Sequence, residues 1–447
     1  MEKSFLIKPL LGEALPEISF GRGVYLYGSD GKEYLDASSG AITCSIGHGI
    51  REIAEAMSEQ AKKVSFVYRS QFTSKAAEGL ALKLARLLPG DLNWSFFVNS
   101  GSEAAETAVK MAIQYWQEKG RPSKTMVLSR RRSYHGITMG ALAWSGYPER
   151  RERFGYHLVS NPDISAPYCM RCPYGMTYPA CNLKCAEDLE QSINRMGENN
   201  IAAFIAEPVV GAAGACITPP DGYYEKIREI CDRHEVLWIA DEVMTGMGRT
   251  GKVLASEHWN CLPDIVVLGK GLGAGYSPIA AAVAADHVIE AFEQGSRVIM
   301  SGHTYSGNPQ SAAAALAVIE YMEKHQIIVN SAKQGTILLQ KLKAIQKELP
   351  FIGDIRGKGL LIGVELVRDQ EKRTPFSKIK KAGAKFIELS FKNGLILYPA
   401  SAGIEGGDGD AVIIAPPLTI TEQELADLIR RFNKACAHFI EWQSEGC

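Results

Sequence analysis

Two nearby stretches, Trp238-Ile-Ala-Asp-Glu-Val-Met-Thr-Gly-Met-Gly-Arg-Thr-Gly251 and Ile265-Val-Val-Leu-Gly-Lys-Gly-Leu-Gly273, decide the fold of this chain. Each contains or overlaps an apolar run of strand length and composition, Val236–Ala240 in the first and Ile265–Leu268 in the second. One run ends in Asp241 and Glu242, the other in Gly269, Lys270 and Gly271. In an open α/β sheet, ligands sit outside the carboxyl ends of the strands. A carboxylate and an amine 29 positions apart are therefore expected at one pocket. The ordinary alternative is a solvated loop lysine and an aspartate that caps a helix. The flanking glycines and the apolar strand before Lys270 weigh against it. Such a pair suits pyridoxal 5′-phosphate (PLP), with the lysine forming a Schiff base and the acid keeping the pyridine nitrogen protonated.

Outward from this pair, strands alternate with helices between about 61 and 325. Runs near Ser95–Val98, Thr125–Ser129, Ala202–Ala206 and Ala280–Ala284 add to the two above, with amphipathic stretches such as Glu103–Glu118 and Tyr223–His234 between them. That alternation predicts an α/β domain with a mostly parallel sheet covered on both faces. Residues 1–60 begin with short strands around a hairpin turn at Ser29-Asp30-Gly31. After 325 a long helix, two strand segments and a helix from about Glu422 make a smaller α+β part. The expected division is 1–60 and 326–447 for the small domain and 61–325 for the large one.

The chain has 447 residues, 46% of them hydrophobic, and a net charge of −1. This is ample for a large core and gives no basic surface for nucleic acid. No apolar run suits a signal peptide or a membrane span, so the ten cysteines are read as reduced thiols of a cytoplasmic protein.

Three further motifs are expected at the same sheet edge. Asn99-Ser-Gly-Ser-Glu103 follows a strand and opens a helix, so Ser100, Gly101 and Ser102 offer free N–H groups to a phosphate. Taken alone it is also an ordinary N-cap. Tyr134-His-Gly136 follows an arginine-rich turn, where Tyr134 is placed to stack on a planar ring and Val243 to press its other face. A core tyrosine is the alternative, and no chemistry is assigned to His135 beyond a place near the cofactor.

Together these motifs resemble the class III aminotransferases, PLP enzymes of fold type I, over nearly the whole length. Glu207-Pro-Val209, Asp241-Glu-Val243 with Gly246-Met-Gly-Arg-Thr-Gly251, Pro263-Asp-Ile265 through Gly271, and Thr304-Tyr-Ser-Gly-Asn-Pro309 carry the resemblance, as does an opening in which Ser29 replaces the usual aspartate. It implies a large domain with a sheet of the seven-stranded type, a homodimer or tetramer, and a ping-pong transfer of an amino group. Lys270 would carry the Schiff base and move the proton, and Asp241 would hold the ring nitrogen. Glu207 would join the polar shell, a buried ion pair being its alternative, and Thr304 would reach the phosphate of the neighbouring subunit.

The departures bear on substrate. Relatives acting on ornithine or 4-aminobutyrate have a gating glutamate where this chain has Ala212, and many have glutamine at the Met244 position. Both replacements resemble the ω-amino acid and amine:pyruvate branch, which implies an amine donor and an α-keto acid acceptor. By the same resemblance Ile42 and Tyr68 are pocket candidates, with core packing as the alternative. The segment Ala402–Asp410, where relatives often carry a carboxylate-binding arginine, has none. Arg69 and Arg132 remain open for that role. An aminomutase, a racemase or epimerase, a decarboxylase and a non-catalytic homologue are the rival functions.

Cys169, Cys172, Cys181 and Cys185 form C-x2-C-x8-C-x3-C. Four thiolates so spaced could close a structural zinc site; free or redox-active thiols are the favoured alternative, and the chemistry expected here needs no metal.

Overall fold

A computed structural model describes residues 5–12, 14–160, 162–403 and 409–446. Its centre is a six-stranded sheet: β1 (Leu92–Val98), β2 (Met126–Ser129), β3 (Ile201–Ala206), β4 (Leu237–Asp241), β5 (Ile265–Leu268) and β6 (Ala280–Ala285), in the order β1-β6-β5-β4-β3-β2. β2 to β5 are mutually parallel, and β6 runs antiparallel to both β5 and β1. Every residue of β3, β4, β5 and β6 is buried. Strands covered on both faces read as continuous apolar runs, which is why these four were visible in the sequence.

The sheet has six strands among the described residues, not the seven expected. Beyond β2 the edge is met only by single-residue parallel bridges, Arg130 to Ile164 and Arg131 to Gly146. The backbone turns left-handed at Arg132 (φ 52°), so the ladder cannot continue. The start of β4 also differs by one residue. The N–H of Val236 donates to the carbonyl of Cys231, closing the preceding helix, and the ladder begins at Leu237.

Helix α1 (Gly101–Glu118) covers one face of the sheet, laying Ala104, Ala105, Ala108 and Ala112 on Ala280, Ala282 and Ala284. Small residues on both sides bring helix and sheet close. Lys75–Leu87 and α2 (Pro309–Lys324) cover the other face through Leu80, Leu84, Ala312 and Ala315. No described helix is long and apolar enough to cross a membrane.

The two chain ends build the rest. Tyr25–Gly28 and Glu33–Asp36 form the hairpin around Gly31, and Leu35 lies beside Leu395 in a parallel pair. Ile352–Lys358, Leu361–Asp369, Asp410–Ile414 and Tyr398–Ser401 form a second antiparallel sheet. The helices α3 (Ile327–Glu348) and Glu422–Gly446 belong to this half.

Where the halves meet, backbone touches backbone. A Cβ on Gly335 of α3 would lie 2.2 Å from the carbonyl carbon of Gly359, and one on Gly359 would lie 2.3 Å from that of Thr250. Arg249, buried beside this contact, donates through Nη1 to the carbonyls of Leu360 (3.2 Å) and Pro416 (2.5 Å) and through Nη2 to Ser39 Oγ (3.2 Å). Gly335→Ala is therefore expected to lower stability by about 1–3 kcal/mol, the usual cost of overpacking. Urea unfolding would measure it, and an unchanged midpoint would refute the contact.

Candidate active site

The parallel strands deliver their following residues to one edge. β3 leads into Glu207, β4 ends at Asp241, β5 leads through Gly269 to Lys270, and the turns after β2 carry Tyr134 and His135. Gly101, Ser102, Tyr134, His135, Gly136, Glu207, Asp241, Val243, Met244 and Lys270 line one pocket of about 190 Å³. A roomier cavity of about 610 Å³ lies against Trp94, Phe96, Met111 and Phe292 and holds none of the residues singled out from sequence. Chemistry, not size, marks the site.

Lys270 sits at φ 39°, a left-handed conformation that costs a non-glycine residue about 1–2 kcal/mol. Burial lowers its pKa to about 8; Asp241 and Glu207 oppose that shift and Arg249 reinforces it. A free amine is therefore accessible near neutral pH. Asp241 is 3% exposed. Its Oδ2 lies 2.8 Å from His135 Nδ1, and its Oδ1 accepts from the N–H of Val243 at 3.1 Å. Glu242, its neighbour in sequence, points the other way. It accepts from the N–H groups of Ala255 and Ser256 (both 2.9 Å) and from the Thr245 hydroxyl, and burial raises its pKa to about 7.

Glu207 accepts from the N–H of Tyr134 and of Gly211, each at 2.8 Å. Its backbone carbonyl takes the Tyr224 hydroxyl (2.8 Å) and the Arg130 guanidinium. Burial, with the nearby Asp241, raises its carboxyl pKa. Arg130 and Tyr224 were not singled out from sequence, where Arg130-Arg-Arg132 read only as a basic turn. Neither residue type announces burial, so no local signal marked them.

At the start of α1, Ser100 Oγ accepts from the N–H of Glu103 at 3.2 Å and caps the helix, while Glu103 Oε2 accepts from the N–H of Asn99 at 2.8 Å. Ser100 is exposed and its hydroxyl already engaged, whereas Gly101 and Ser102 reach the pocket. Two glycines keep the pocket open. A Cβ on Gly101 would lie 3.0 Å from Val243 Cγ1, and one on Gly136 (φ 142°) would lie 2.4 Å from Ser102 Oγ. Tyr134 is half-buried and meets Tyr147 edge-on, with ring centroids 6.3 Å apart.

Several sequence candidates lie apart. Ile42 is 2% exposed, packs in the core cluster that also contains Met244, and is not among the residues that line the 190 Å³ pocket. Tyr68 is half exposed, Thr304 is exposed, and Ala212 offers only its carbonyl, to the N–H of Ser401; none of the three lines the pocket in this chain. Residues 404–408 of the arginine-free segment lie outside the described residues. Cys169, Cys172, Cys181 and Cys185 are free thiols, and no group of three His, Cys, Asp or Glu among the described residues is arranged to hold a metal ion. Burial, aided by the neighbouring thiols, raises Cys185 to about 12 and Cys169 less far.

The pocket fits a phosphorylated aldehyde cofactor. It offers a low-pKa lysine, a buried carboxylate fixed by a histidine, and a helix start cleared by glycine. Among the described residues His135 Nε2 is buried with no hydrogen-bond partner, which leaves a polar atom open in a residue that lines the pocket.

The model of the class III aminotransferase family matches residues 13–436. The chain is 55% identical to an uncharacterised aminotransferase, YodT, of Bacillus subtilis (strain 168), over 97% of this chain and 98% of that protein. It is 36% identical to the putrescine–pyruvate aminotransferase of Pseudomonas aeruginosa, over 93% and 89%. Among solved structures, an amine transaminase from an uncultivated Pseudomonas species, in a PLP-bound form, superposes with a TM-score of 0.91 at 33% identity, covering 98% of this chain and 99% of that one. The fold is thus fold type I and the cofactor PLP, and this chain belongs to the class III aminotransferases.

Proposed function

We propose that this aminotransferase moves the amino group of an ω-amino acid or simple amine to an α-keto acid, with pyruvate as acceptor, by a ping-pong reaction in a cytoplasmic homodimer. The observation that carries the reading is Lys270: a strained, pocket-lining amine with a pKa near 8, facing Asp241 and Glu207.

When bound, PLP supplies an electron-withdrawing ring that stabilises charge on the carbon next to the substrate nitrogen. Lys270 Nζ would hold it covalently, which requires the neutral amine. The same Nζ, once released, is suited to take and return the substrate proton, because its pKa lies close to working pH. Asp241, oriented by His135 and the Val243 N–H, would keep a negative charge facing the ring nitrogen. Gly101 and Ser102, with Ser100 through its main chain only, would hold the phosphate at the positive end of α1. Tyr134 and Val243 would flank the ring, and Glu207 fixes the backbone of Tyr134. An exposed Thr304 suits a role at the phosphate of a second subunit.

The substrate class rests on what is missing. Ala212 and Met244 supply neither a gating carboxylate nor an amide, and the segment 402–410 has no arginine. A dicarboxylate acceptor brings a second charge that no arginine belonging to that segment pairs. The described cysteines are all free, which suits a reducing compartment.

Borohydride treatment of the loaded enzyme is expected to leave the cofactor on the peptide containing Lys270; label on another lysine would overturn the assignment. Lys270→Ala should lose several orders of magnitude in turnover. In apoenzyme mixed with PLP, the labelling rate should rise with pH around a midpoint near 8, because only the deprotonated amine reacts. Asp241→Asn should move that midpoint down, since the aspartate charge favours the ammonium form.

Sedimentation should give a dimer or tetramer, and Thr304→Ala should release PLP about ten-fold more readily, one charge-assisted hydrogen bond's worth. A monomer with full retention contradicts the shared site.

The decisive measurement is kcat/KM for pyruvate against 2-oxoglutarate, with β-alanine, taurine or a simple primary amine as common donor. We expect a ratio above one. A ratio well below one refutes the pyruvate reading.

A further inference from the structure

We propose that a second cavity, behind the turn that carries Tyr134, binds a carboxylate through Arg132. The cavity has a volume of about 540 Å³, and its walls include Arg131, Arg132, Arg171, Tyr168, Met170 and Gly403. Among its described lining residues three are arginines and none is acidic.

Arg132 is 6% exposed, yet its guanidinium meets no carboxylate among the described residues. Among the described residues only Nη1 is engaged, at 3.3 Å from the carbonyl of Ala402 and 3.5 Å from that of Ala213. A guanidinium has five N–H donors, and a buried charge is costly unless paired. The neighbouring cations are provided for. Arg171 Nε donates to Glu365 at 2.7 Å and its Nη1 to the carbonyl of Arg373 at 2.8 Å, and Arg131 lies 3.5 Å from Asp163. Glu365 is further engaged by Arg356 and the Tyr168 hydroxyl, and it makes no bond to Arg132. One more donor, Nη2 of Arg171, is buried without an acceptor.

A planar anion that takes two parallel N–H bonds meets these donors best, and a carboxylate does so. Ala166, Tyr168, Met170 and Pro173 on the same walls suit a short apolar body attached to it. Arg132 stands two residues before Tyr134, and its Nη1 reaches the 211–214 loop, whose Gly211 abuts Met244 of the Lys270 pocket. The carboxylate is thus the far end of a substrate reacting at Lys270, which rests on the transaminase reading above, or a separate small carboxylate, which does not.

The test uses PLP-loaded enzyme and propionate, which has neither amino nor keto group. Phenylglyoxal modifies arginines, and peptide mass mapping follows each site. Saturating propionate is expected to slow modification of Arg132 about ten-fold or more. Equal rates with and without it overturn the proposal. By calorimetry, R132Q should weaken propionate binding about ten-fold or more and R132K should recover part of it, at unchanged melting temperature. Undiminished binding in R132Q also overturns the proposal. Should R132Q fail to fold, the protection measured on the unaltered chain decides. The two sources separate in the kinetics. A KM that rises in R132Q for carboxylate-bearing substrates more than for a simple primary amine identifies the substrate's own carboxylate. Loss of propionate binding with unmoved KM values identifies a separate ligand. Absence of transamination with every acceptor would remove the proposed function, while the protection experiment would still judge this cavity.

Discussion

The pocket turns on the difficulty of enclosing an amine. An ammonium held away from water is disfavoured, so the pKa of Lys270 falls; a lysine left wholly without counter-charge would fall further. Asp241 and Glu207 limit the fall. Those two acids are themselves buried and need partners, which His135, Val243, Gly211 and Tyr134 supply. The dependence runs outward to Arg130 and Tyr224, which grip the Glu207 carbonyl from behind the sheet edge. Parallel strand order makes this economical in space. β2, β3, β4 and β5 lie side by side, and the chain leaves each of them at the same edge.

Much of this was legible in the sequence, and the reason is physical. β3, β4 and β5 are buried on both faces, so they appear as unbroken apolar runs, and the residues that end them must be loop residues at the sheet edge. Asp241 and Lys270 are found that way as a pair, and Glu207 through the resemblance to the class III aminotransferases. Features set by tertiary geometry were not legible. The left-handed turn at Arg132 ends the sheet where a seventh strand was expected, and nothing in Arg130-Arg-Arg132 announces it. Ile42 is apolar whether it lines a pocket or backs one. Ser100 reads as a phosphate ligand and as a helix cap equally well, and its hydroxyl makes the cap.

Adjacent residues can have opposite fates at a strand end, because successive side chains point to opposite faces. Asp241 faces the pocket. Glu242 turns into the protein, where two backbone N–H groups and a hydroxyl receive it. The pair Asp-Glu is therefore one pocket group and one brace for the loop at 255–256. A similar division separates the arginines. Arg249 ties three distant carbonyl and hydroxyl groups together, and Arg356 and Arg171 share Glu365. Buried cations in this molecule are mostly fasteners.

The glycine contact between α3, the 358–360 turn and Thr250 has a consequence for how the molecule transmits movement. Side chains between two elements act as a compliant layer: they change rotamer, and a push on one side is partly absorbed. Two main chains in direct contact have no such layer. A tilt of α3 would meet the main chain of the 358–360 turn and of Thr250 directly, nine residues from Asp241 in sequence, with no side chain between them to take it up.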